Sequence, residues 1–230
     1  MTSDLISFRI IPMFTLHYFL STDPLGRVDK SSLSQETLLE LVVQSIPNRW
    51  KVTGSSDNPR PMAEWWGVVF SDCDNVVDIS WSYLLLEGSI HLEWCPSSIR
   101  TLNIAQNALS GSIDLTALPE DLEKAWFGYN KFSGEITLEN LPNNLTVLLL
   151  AGNQLTGTVC LTKLPDSLRL LAVSENQFSG GLDLTLLPSR METLLLENNL
   201  FQGKIDFSRL PDSVHALNLM NNAVSGDLRK

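Results

Sequence analysis

One spacing governs this chain. Asn107, Asn130, Asn153, Asn176, Asn199 and Asn222 follow one another at intervals of twenty-three residues. Gly111, Gly134, Gly157, Gly180, Gly203 and Gly226 keep the same step, as do Pro96, Pro119, Pro142, Pro165, Pro188 and Pro211. Three residue types held in one register across more than half of 230 residues exclude chance. A unit this short cannot bury an apolar face alone, so successive units must stack and share one elongated core.

Aligned on the Asn, the unit reads L-x-x-L-x-L-x-x-N-x-L-x-G-x-I-x-L-x-x-L-P, seen clearly from Leu145 to Pro165. Leu148 and Leu150 flank Leu149, an alternation that predicts a short strand with two side chains inward and one outward. Equivalent strands of successive coils should pair in parallel. The six Asn are expected to form a buried structural ladder, each bonding the backbone of its own and the next coil. Phe132, Phe178 and Phe201 replace Leu before the repeat Gly and are expected to be core spine residues. One step upstream of Ile99, Leu102, Ile104 and Gly111 lie Val76, Ile79, Trp81 and Gly88, a degenerate first unit in which Leu84 replaces the ladder Asn.

This pattern resembles the leucine-rich-repeat family. Its G-x-I-x-L half is similar to the plant-type class, and its LP-x-x-L phrase is similar to long arrays in protist proteins. The resemblance implies an α/β-type repeat solenoid: a right-handed coil with a parallel inner β-sheet, an irregular or β outer side, and a helical N-terminal cap. The expected organisation is an N-terminal segment at 1–31, a cap at 32–75, and seven repeats at 76–230 with the last incomplete.

Stacked coils expose core at both ends, so a cap is needed. Ser32 and Gln35 form a capping-box-like start, and apolar spacing from Leu38 to Ile46 predicts a helix over roughly Leu33–Ile46, ended by Pro47. Trp65-Trp66-Gly67-Val68-Val69-Phe70 then predicts an apolar strand entering the first coil. The W-x-G-V phrase is similar to the N-terminal cap of plant-type repeat proteins, where the resemblance implies a following cysteine paired with an upstream one. Phe70 stands at that place, Cys73 comes three residues later, and no cysteine lies upstream. A cap without its disulfide fits a reducing compartment, which favours an intracellular location. Asn144-Leu145-Thr146 is a glycosylation sequon, and the apolar stretch Ile10–Leu20 can be read as a signal segment or as a tail. These two features keep a secreted or surface location open. At the other end the sixth clean unit stops before its LP turn, so the expectation is either that a second copy or another chain covers that edge or that the chain is a truncated piece of a longer array.

The net charge of -10 and pI near 4.7 oppose binding to phosphate backbones or anionic membranes, so nucleic acid is not an expected partner. No apolar run is long enough to span a bilayer. Cys73, Cys95 and Cys160 have no metal-ligand spacing, and Asp114, Asp183 and Asp206, interrupted by Thr137 and Cys160, are expected to form a solvated face rather than a calcium ladder. No cofactor is therefore expected. His17, His91 and His215 lie far apart in the repeat scheme, and the chain has no Gly-rich phosphate loop, HExxH or G-x-S-x-G. The expectation is a non-enzymatic scaffold or adaptor that binds another protein, with a secreted or cell-surface recognition module as the alternative.

The readable surface of such a solenoid is the outward letters of its inner strands. Trp126, Leu149 and Leu195 fall in the central column, Glu197 in its neighbour, Tyr83 and Tyr129 beside that, and Lys124, Val147 and Leu170 on the other flank. Aromatic and aliphatic residues set among small Gly128, Ala151 and Gly152 are hot-spot material, and these nine are the expected partner-binding residues.

Overall fold

The computed structural model describes residues 29–56 and 58–227. The Ile10–Leu20 stretch and His17 lie outside them. Of the described residues, 29–34 belong to one compact unit and those from Gln35 onward to another. Within the first, a 3-10 turn at Lys30–Ser32 is capped by Asp29, whose carboxylate accepts from the Ser31 N–H.

The second unit begins with helix α1 (Gln35–Val43), shorter at both ends than the periodicity predicts. Its apolar side buries Leu38, Leu39, Leu41, Val42 and Val43. The next turn tightens, with Ile46 N–H donating to Val43 O ahead of Pro47. The capping-box expectation fails for Gln35, whose side chain accepts from Val76 N–H and donates to Asp74 O, joining the helix to the first coil. A second helix, α2 (Trp50–Thr53), has no counterpart in the sequence reading; Gly54 ends it in the left-handed conformation and donates to Trp50 O.

Seven short strands form the parallel inner sheet: Val76–Ser80, Thr101–Asn103, Lys124–Trp126, Val147–Leu149, Leu170–Ala172, Thr193–Leu195 and Ala216–Asn218. Val68–Phe70 adds antiparallel to the first, completing eight strands. The register steps by one repeat throughout, so Leu102, Ala125, Leu148, Leu171 and Leu194 pair in one fully buried line. The outer side is partly β, with a four-stranded and a three-stranded sheet linked by the Thr158–Ser179 bridge. Phe132, Phe178 and Phe201 are fully buried, and the last two rings stack 6.3 Å apart and nearly parallel.

The six Asn form the ladder, in the direction opposite to that expected. Asn153 Oδ1 accepts from Phe132 N–H, and its Nδ2 donates to Phe127 O in the preceding coil and to Leu150 O in its own. Asn107, Asn130, Asn176, Asn199 and Asn222 repeat this reach to the preceding coil. Each side chain thus ties its coil to the one behind it, satisfying a carbonyl and an N–H of the preceding coil and a carbonyl of its own.

Leu84 cannot do this for the cap, and residues without periodicity take over. Asn48 donates to Leu85 O and accepts from Glu87 N–H, while Lys51 Nζ donates to Leu84 O. Trp81, fully buried at the first spine position, donates its indole N–H to Trp66 O. Trp65 is buried and donates to Arg60 O, and Phe70 packs on the core where the family pattern carries a cysteine. None of the three cysteines forms a disulfide. Among the described residues no helix is long and apolar enough to cross a membrane.

Candidate functional site: the groove on the inner sheet

Because a strand alternates its faces, each buried leucine line is flanked by an outward line. Asn103, Trp126, Leu149, Ala172, Leu195 and Asn218 are in register as that line. Past the strand ends the chain turns through a left-handed residue just before each ladder position: Tyr83, ahead of Leu84, and Gln106, Tyr129, Glu175, Asn198 and Asn221, ahead of ladder Asn, have φ between 53° and 59°, and Gly152 has 68°. Tyr83, Gln106, Tyr129 and Glu175 join residues of the outward line around an open groove of about 430 Å³.

Six of the nine expected residues line this groove: Tyr83, Trp126, Tyr129, Leu149, Leu195 and Glu197. Lys124, Val147 and Leu170 do not; they form their own register column at the strand starts, beside the groove. Small residues line it as well, among them Ala172 and Ser174, only 3% and 4% exposed. Asn103, Gln106 and Glu175 also line the groove, and the left-handed position before the ladder Asn is the pattern that marks the last two.

Tyr83 and Tyr129 stand at the margin, 74% and 48% exposed. Trp126, Leu149 and Leu195 are half-buried. The charged groups of the lining are carboxylates, Glu175 and Glu197, with no Lys or Arg among them. Glu197 Oε2 is removed from solvent and has no hydrogen-bond partner among the described residues.

Polar repeat positions elsewhere serve turns. Asp114 Oδ1 accepts from the Thr116 N–H and hydroxyl, Asp183 from those of Thr185, and Asp206 from Ser208 N–H. Thr137 at the same position accepts from Glu139 N–H. These bonds hold the Asp183 and Asp206 carboxyls below the usual range, the side-chain bond to Thr185 or Ser208 being the main cause. His91 bridges Ser45 and Glu93 at the junction of cap and first coil, and His215 lies within 2.9 Å of Ser213 O several coils away. No group of three or more His, Cys, Asp or Glu side chains among the described residues could hold a metal ion.

No protein-family model matches the chain, and no curated protein does. Solved structures do. A chain of the complex of the Arabidopsis receptor kinase HAESA with the peptide hormone IDA and the co-receptor SERK1 is 25% identical, with a TM-score of 0.65 over 81% of this chain and 33% of that one. The plant peptide hormone receptor RGFR1 in complex with RGF2 is 26% identical, with a TM-score of 0.51, over 62% of this chain and 24% of that one. Pollen Receptor Kinase 3 shares the fold at 24% identity and a TM-score of 0.56, over 84% of this chain and 94% of that one. This chain therefore spans about a third of the HAESA-complex chain that it matches. With the repeat register and the stacked parallel sheet, these likenesses define a leucine-rich-repeat solenoid. Its fold is that of plant leucine-rich-repeat ectodomains.

Proposed function

We propose that this chain is a non-enzymatic recognition module whose inner-sheet groove holds an extended segment of another protein or a peptide. Residues 32–75 serve as its cap and 76–230 as the repeats that carry the surface. The observation that carries this reading is a continuous groove of aromatic, aliphatic and small residues over a rigid sheet. Exposed Tyr83 and Tyr129 beside partly buried Trp126 supply large contact area at low conformational cost, the composition of a binding hot spot. Seven inner strands at about 4.8 Å give a face roughly 30 Å long, enough for an extended segment. Peptide hormones in the HAESA and RGFR1 complexes support a peptide-sized occupant. The two histidines that the described residues include serve separate structural contacts, which speaks against an assembled catalytic site.

The test is photo-crosslinking in the native cell. A benzophenone side chain at Gln106, in the groove, is expected to trap a partner that the same group at Leu186, in the turn before Pro188, does not trap. Equal trapping at both positions would refute the groove as the binding surface.

A further inference from the structure

The groove is chemically lopsided. Its aromatic side chains come from the first and third coils, and its carboxylates from the fifth and sixth. Glu197 follows the strand Thr193–Leu195, and its Oε2 is both shielded from water and without a donor. Burying a carboxylate oxygen with no hydrogen bond is expensive, and native structures keep such groups where a partner or ligand completes them. The repeat does not require an acid there: the same position holds Ser174 one coil earlier and Ala151 before that. The ion pairs among the described residues are His91–Glu93, Lys163–Glu139 and Arg169–Glu192, none of them in the groove.

Resting on the groove reading above, we infer that Glu197 is the specificity residue for a cationic side chain, lysine or arginine, on an extended segment whose apolar residue sits against Trp126. Charge complementarity selects this occupant. The lining offers two carboxylates and no base, and a cation entering the groove is met by Glu197, whose side chain turns to bring the shielded Oε2 to the donor it lacks. Glu175, exposed on the neighbouring turn, widens the negative field that draws the cation in. Geometry adds a spacing. Trp126, Leu149, Ala172 and Leu195 are successive register partners, so Trp126 and the Glu197 coil are three strand steps apart. That is about 14 Å, which an extended segment lying along the groove covers in about four residues. The preferred segment therefore carries an apolar anchor and a cation about four positions apart.

Selection of short random peptides displayed on a surface, performed with the whole chain, tests this. Wild type is expected to enrich Lys or Arg at one position about four residues from an apolar one. In Glu197→Gln the enrichment at that position should fall about tenfold, while the apolar preference stays. Glu197→Ser, which restores the side chain of the preceding coil, should behave likewise and guards against a folding defect in the first variant. Peptides lost in Trp126→Ala/Leu149→Ser yet showing no cation preference, or a preference unchanged by Glu197→Gln and Glu197→Ser, would overturn the cation subsite and leave the groove reading intact. Capture by the Trp126→Ala/Leu149→Ser variant equal to that of wild type, including none by either, would overturn both.

Discussion

The ring of Tyr129 occupies the space that a side chain on Gly152 would fill. A Cβ placed on Gly152 would lie 2.5 Å from Tyr129 Cδ1, and Gly152 itself has φ of 68°. The glycine therefore serves two ends: it accepts the left-handed turn before a ladder Asn, and it lets an aromatic ring from the preceding coil lie flat along the groove margin. Gly152→Ala is expected to cost about 1–2 kcal/mol from backbone strain alone and to displace Tyr129. Measured in a Tyr129→Ala background the cost should shrink, because the steric part has gone. Equal costs in both backgrounds would separate the two residues.

The ladder predicts a gradient of mutational cost. Asn176 is 8% exposed and donates to Leu150 O, Val173 O and Ser174 O while accepting from Leu155 N–H. Asn176→Ala strands these groups in the core and should lower stability by about 2–3 kcal/mol. Asn222 makes a similar set in a more open coil, where water can replace it, so Asn222→Ala should cost less. Chemical denaturation of both variants decides the order.

Periodicity made the inner sheet legible. Any residue type fixed at every coil must serve the coil, so the leucine lines, the Asn ladder and the Phe spine could be placed before any coordinates. Direction was not legible: the Asn could bond forward or backward, and only the backbone path fixed that each reaches to the coil before it. The cap was partly legible because it has no internal repeat to compare; the helix was placed, but the ladder role of Asn48 and Lys51 was not. In the groove, the outward columns were legible, and six of the nine residues read from them line it, while Lys124, Val147 and Leu170 lie in the column beside it.

Asn48 is the cap's substitute for a ladder Asn. Asn48→Ala leaves Glu87 N–H without its side-chain partner and Leu85 O with Lys51 Nζ alone. The expected loss is about 1–2 kcal/mol, and hydrogen exchange should accelerate over Leu84–Gly88 more than over the central coils. Uniform acceleration would mean that the cap and the array unfold as one cooperative unit.

Acid should loosen the outer turns. The carboxyls of Asp183 and Asp206 titrate below their ordinary range when folded, chiefly through bonds from Thr185 and Ser208. Their stabilisation is therefore fully present above the ordinary carboxylate range and is lost as pH falls through the lowered folded values. Both groups are solvent-exposed, so the effect is small. Asp183→Asn with Asp206→Asn should flatten the acid limb of the stability profile, and an unchanged limb would refute the assignment.

The most direct measurement concerns the groove itself. The partner trapped at Gln106 is titrated against wild type, against Trp126→Ala/Leu149→Ser, and against Leu186→Ser as a control on an exposed leucine outside the groove. At least a tenfold loss of affinity, about 1.4 kcal/mol, is expected in the double variant, with a near-normal melting profile and no change in the control. Unchanged affinity in a folded Trp126→Ala/Leu149→Ser protein would contradict the groove reading.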